Sequence, residues 1–295
     1  MRSFIRAHPV ACYVALAFAI SWGGILAVIG GGPIPAPPDD AHRLFALVYL
    51  TMLTGPSIAG LAMTMFVGGR TARRDYGARL RKWRVAPVWY AIALLLAPLA
   101  LTFTLAVLAP LSSAFLPTFV GAGPLDSPGA IPTGRVGTIL LVGVMVGCGA
   151  GCFEELGWTG FAVPSVLRRH GTMFTGLVVG VVWGAWHFLA VWWGSANAFG
   201  SVPVPLYLLV ALFSFLPPYR LLMVHVYTRT GSLLVAMLMH ASLTTSMIVL
   251  GPAVSGVDAI VYNLTFAAVL WLVVALVLGA SRVRSAHRVA AEAMR

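Results

Sequence analysis

Residues 136–167 read VGTILLVGVMVGCGAGCFEELGWTGFAVPSVL, an apolar run in which Glu154 and Glu155 are the only charges. A helix needs roughly 20 apolar residues to cross a hydrocarbon core of about 30 Å, so this stretch is long enough to span a bilayer. Seven further apolar runs of comparable length flank it, at Val10 to Ile29, Leu44 to Val67, Pro87 to Leu108, Met173 to Trp193, Val204 to Tyr227, Ser232 to Leu250 and Ala259 to Ala280. Of the 295 residues 60% are hydrophobic and 9% charged, too few polar side chains to cover a soluble domain. The expected fold class is all-α, a polytopic membrane protein of about eight transmembrane helices.

Net charge of +11 would suggest a nucleic-acid partner in a soluble chain, but the placement of the charge argues otherwise. If the loops are assigned alternately to the two sides, all of the 19 Lys and Arg residues except Arg43 and Arg135 fall on the side of the N-terminus. The positive-inside rule turns this bias into a topology with both termini cytoplasmic. The expected location is a bacterial plasma membrane. Arg2 and Arg6 precede the first span, whose apolar stretch exceeds a signal-peptide core, so it reads as a retained helix. The basic loop from Arg70 to Arg84 is expected along anionic headgroups, with Trp83 and Trp89 at the interface. The expected partners are therefore the lipid bilayer and a membrane-associated peptide or protein, with no nucleic acid.

No linker or soluble insertion separates the spans, so residues 1–295 read as one membrane-embedded domain. Cys12, Cys148 and Cys152 make no disulfide framework, and the last two read as small packing residues rather than metal ligands. Gly143, Gly147 and Gly151 recur every fourth residue on the fourth span, as do Gly176, Gly180 and Gly184 on the fifth. Such spacing allows close helix approach in lipid, and the fourth and fifth helices are expected to pack on each other.

Six of the eight acidic residues fall in loops or termini, which isolates Glu154 and Glu155 inside a span. A carboxylate at that depth is costly and calls for a partner and a function. Consecutive helical residues point about 100° apart, so the two need separate partners. His187 and His240 lie inside other spans. Counted from the basic ends at about 1.5 Å per residue, Glu154, His187 and His240 lie roughly 21, 25 and 16 Å deep, close enough to form one constellation. His225 is assigned to the interface, and Arg220, after Pro217 and Pro218, is expected to snorkel to the inner surface rather than turn inward to a glutamate.

The motifs resemble those of the CAAX protease and bacteriocin-processing (CPBP) family of intramembrane endopeptidases, which includes the type II CAAX prenyl endopeptidases. Glu154-Glu155-Leu156-Gly157-Trp158-Thr159 is similar to its Glu-Glu-x-x-x-Arg motif, Trp183-x-x-x-His187 to Phe-x-x-x-His, and His240-x-x-x-Thr244 to His-x-x-x-Asn. A Gly55-Pro56 turn in the second span and the basic loop before the third extend the likeness, which is strongest from Cys152 to Thr245, inside a motif-bearing core of about 136–250. Thr159, Trp183 and Thr244 stand where the family usually has Arg, Phe and Asn.

The resemblance implies hydrolysis of a peptide bond, with Glu154 activating water, Glu155 supporting it, His187 helping to hold the water, and His240 with Thr244 binding the oxyanion. Thr159, Trp158 and Trp183 are the motif-supporting positions. Residues four apart share a helical face, so His240 and Thr244 can address one oxygen. The expected form is metal-free, with no cofactor; zinc on Glu154, His187 and His240 is the other ligand chemistry these residue types allow. An immunity factor or scaffold that has lost catalysis, or a proton-coupled transporter, would also explain buried Glu and His, although no interrupted inverted repeat points to transport.

Overall fold

The computed structural model describes residues 2–117, 136–196 and 198–293. Residues 118–135, with Asp126 and Arg135, lie outside the described residues, as do Asn197, Arg295 and the side chains of Arg2, Arg282, Arg284, His287, Arg288 and Glu292. The described chain is helical throughout its regular structure: α1 (Arg2–Ala7), α2 (Pro9–Ile29), α3 (Pro38–Leu80), α4 (Pro87–Leu108), α5 (Val136–Gly157), a π-helical turn (Trp158–Ala162), α6 (Val163–Leu167), α7 (Thr172–Trp193), α8 (Val204–Phe213), α9 (Leu216–Thr230), α10 (Leu233–Leu250) and α11 (Gly256–Ala293). Among the described residues eight stretches are long and apolar enough to cross a membrane, with α5 to α6 and α8 to α9 each counting as one.

The outer surface confirms the setting. Leu141, Met145, Leu272 and Leu276 are each more than 60% exposed, whereas the charged pair at Glu154 and Glu155 is buried. That inversion of a soluble protein's surface is stable only where the solvent is hydrocarbon.

Two spans differ from the sequence reading. The second span does not end near Val67; α3 continues helically to Leu80 after a break at Gly69, whose φ of 60° and ψ of −147° suit only glycine. Much of the expected basic loop is therefore helix. The sixth span is two helices, because Pro217 and Pro218 open α9 at the positions where a helix tolerates proline, leaving Ser214 and Phe215 between it and α8.

The glycine stripes pack closely, but not on each other. A Cβ on Gly147 or Gly151 would sit 2.6 Å from the Ala241 carbonyl or 2.4 Å from that of Met237, so this stripe receives α10. The other stripe receives α9: a Cβ on Gly176 or Gly180 would approach Leu221 Cα or Pro217 Cα to 2.5 or 2.6 Å. Spacing marks a face as small without naming its partner. The result is a core in which α5 holds α10, and α7 holds α9, at backbone distance, the arrangement that brings His240 and Arg220 to the glutamates.

Candidate active site

The site is built around the end of α5. Glu155 is fully buried and fully coordinated: Arg220 Nη1 donates to its two carboxylate oxygens at 2.8 and 2.9 Å, His240 Nδ1 lies 2.7 Å from Oε1, and the Thr159 hydroxyl donates to Oε2 in a short hydrogen bond. Thr159 reaches it because residues four apart along α5 and its continuation stand on one face. Arg220 is itself fully buried, and its guanidinium carbon lies 4.1 Å from the centre of the Trp183 ring. An ion pair stacked on an indole and stripped of water holds because each charge has a directed partner; removal of either leaves the other uncompensated.

Arg220 thus does not snorkel. The sequence reading expected it at the inner surface, but α9 begins at Leu216 and carries Arg220 just past its first turn, where the side chain meets Glu155. The uncompensated carboxylate pair was the available signal, since a buried anion demands a cation nearby.

Glu154 has different company. The Trp183 indole N–H donates to its Oε2 at 2.7 Å, and its Oε1 lies 3.8 Å from His240 Nε2, outside hydrogen-bond reach. His240 therefore stands between the two carboxylates, one ring nitrogen on each side. Trp183 stacks edge-on against His240 at 5.1 Å. The replacement of the family's usual Phe at this position consequently supplies a donor that Phe lacks. The Tyr219 hydroxyl donates to the Met239 carbonyl at 2.7 Å, fixing α9 against α10 beside Arg220 and His240.

The remaining predicted residues stand farther out. His187 is tied through Nδ1 to the Trp183 carbonyl at 2.8 Å, and its ring packs against Trp183 and Trp186 at 5.4 and 4.7 Å. It joins the constellation through Trp183. Trp158 packs edge-on between Tyr13 and Trp186 at 5.4 and 5.9 Å, on the side facing α2. Thr244 is half-buried one turn beyond His240, and among the described residues its hydroxyl makes no hydrogen bond. No group of three or more His, Cys, Asp or Glu side chains among the described residues is arranged to hold a metal ion.

The turn just after the glutamates is π-helical, which widens the backbone ring and leaves carbonyls in need of donors. The basic extension of α3 provides them: the Tyr76 hydroxyl donates to the Leu156 carbonyl at 2.9 Å, and Arg79 donates to the Gly160 carbonyl at 2.9 Å and to the Tyr227 hydroxyl at 2.8 Å. On the other side of the crossing a Cβ on Gly157 would lie 2.2 Å from the Pro56 carbonyl, so α3 and the end of α5 touch through backbone. Neither Tyr76 nor Arg79 was singled out from sequence, because a π turn has no compositional signature.

The family model of the type II CAAX prenyl endopeptidase Rce1-like proteins matches residues 136–246, from the start of α5 into α10. Glu154, Glu155, Thr159, Trp183, His187, Arg220, His240 and Thr244 all fall within it. No curated protein compared with the chain matches it. In a chain whose described residues include eight apolar spans, residues 136–246 are thus similar to the Rce1-like proteins, in keeping with the CPBP family that its motifs resemble.

Proposed function

We propose that the chain is an intramembrane glutamic endopeptidase in which Glu154 is the general base. One observation carries this reading: of two adjacent buried glutamates, Glu155 is saturated by Arg220, His240 and Thr159, while among the described residues Glu154 holds a single hydrogen bond and keeps Oε1 without one. The saturated carboxylate orients His240, and the other is free to take a proton.

In this mechanism Glu154 removes a proton from water as the water oxygen bonds to the scissile carbonyl carbon. The carbonyl oxygen becomes the oxyanion, received by a hydrogen bond from His240 Nε2 and by the Thr244 hydroxyl. Each such donor is worth roughly 2.7–4 kcal/mol. Glu154 then returns its proton to the departing amine as the C–N bond breaks. His187, whose Nδ1 is held by the Trp183 carbonyl, presents Nε2 to the water. Arg220 fills from α9 the cationic role that the family gives to the residue at Thr159, which favours a working site over a degenerate one. The substrate is a membrane-associated protein or peptide, and both chain termini face the cytoplasm.

The test is hydrolysis of a peptide library by purified protein in detergent beside Glu154→Gln. Loss of a general base should lower turnover by roughly 10²–10⁴; near wild-type turnover would remove Glu154 from the role. The reaction is metal-independent on this reading, so turnover should survive chelation. Activity lost on chelation and restored by zinc would replace the mechanism with a metal-based one.

A further inference from the structure

At the basic end of the bundle a cavity of about 500 Å³ lies between the α1–α2 junction and the turn from α6 to α7. Its size falls in the range of small-ligand sites, roughly 300–1,000 Å³. Arg6 and His8 line it from the first segment, and Arg168, Arg169 and His170 from the second. Two stretches separated by some 160 positions in the sequence thus bring three guanidiniums and two imidazoles to one concavity.

No carboxylate among the described residues lines it. Among the described residues none of the three arginines makes an ion pair, and Arg168 has one neutral partner, the Ser165 hydroxyl at 3.2 Å. Arg168 also borders an adjoining cavity that Asp75 lines, and no ion pair forms there either. Like charges gathered at the edge of an apolar medium repel unless an anion sits among them.

The other wall is hydrocarbon. Val10, Val67, Phe174 and Val178 line the same cavity. Phe174 and Val178 are 50% and 36% exposed on a helix that crosses the bilayer, so this wall faces lipid chains. A soluble anion would leave it unfilled. Cationic forks beside an apolar wall suit a phosphate diester carrying acyl chains.

We propose that this cavity is a binding site for one anionic glycerophospholipid, its phosphate held by Arg6, Arg168 and Arg169 and a chain laid against Val10, Phe174 and Val178. The site is separate from the glutamates and stands whether or not the chain is a protease.

Native mass spectrometry of the full chain in detergent tests it, with phosphatidylglycerol, phosphatidylcholine and glycerol 3-phosphate as probes. One phosphatidylglycerol should be retained in preference to phosphatidylcholine. The combined variant Arg6→Gln, Arg168→Gln, Arg169→Gln should weaken that binding by roughly tenfold or more, and Arg70→Gln, Arg73→Gln, Arg74→Gln should not. Should the first variant fail to fold, Arg169→Glu alone is expected to show the same direction. Undiminished binding in the folded variants would overturn the site. Equal loss in the Arg70, Arg73 and Arg74 variant would make the attraction diffuse rather than local. Displacement of the lipid by an equal concentration of glycerol 3-phosphate would make it a site for a soluble anion, and would also overturn the proposal.

Discussion

Glu154 and Glu155 are neighbours on one helix, equally hidden from solvent, and they live in different electrostatic worlds. Glu155 faces α9 and α10, and a guanidinium from the first, an imidazole from the second and the Thr159 hydroxyl from its own next turn converge on its two oxygens. Glu154 faces α7, where one indole N–H meets it. The difference of about 100° between successive side chains is what separates them. A pair that looks redundant in sequence is thereby divided into an anchor, whose loss should unsettle the fold, and the group proposed as general base, whose loss should leave the fold intact.

The contrast predicts a ranked series of stabilities, measured by denaturant unfolding in detergent with tryptophan fluorescence. Arg220→Met should have the largest effect, about 3–5 kcal/mol, because it strands Glu155 as a buried charge. Adding Glu155→Leu to it should recover part of that loss, since an apolar pair tolerates burial; a double variant weaker than Arg220→Met alone would contradict the anchor role. Thr159→Val should follow at about 1–3 kcal/mol, by removing a hydrogen bond to a carboxylate. A neutral outcome would show that Arg220 and His240 suffice.

Trp183→Phe should cost about 1 kcal/mol. It deletes the N–H that meets Glu154 while keeping a ring beneath Arg220 and beside His240. Smallest should be Glu154→Gln, under about 1 kcal/mol, because an amide oxygen can still accept from Trp183. If Glu154→Gln unfolded the protein as readily as Arg220→Met, the division of labour between the two glutamates would be wrong.

The eight spans were legible from sequence because length and hydropathy report directly on what a bilayer accepts. The glutamate pair and His240 were legible for the same reason turned around: ionisable groups are rare at that depth and stand out. Arg220 was expected at the surface because a long cationic side chain can snorkel; that it turns inward to Glu155 depends on how α9 packs against α7, which spacing does not report. The glycine stripes were correctly read as close contacts and wrongly paired, since spacing carries no partner identity. The indole bond of Trp183 and the clamp of Tyr76 and Arg79 on the π turn depend on tertiary placement alone.

The Glu155–Arg220 pair also bears on how the chain is made. Its two halves are 65 residues apart, on spans that emerge from the ribosome at different times. When α5 first meets the bilayer, Arg220 has not yet been synthesised, and a lone charged residue at a helix centre costs roughly 2.5–3.5 kcal/mol on insertion scales. The early spans therefore carry an uncompensated charge until α9 arrives to neutralise it. A chain released before Arg220 would hold a carboxylate with no cation to answer it.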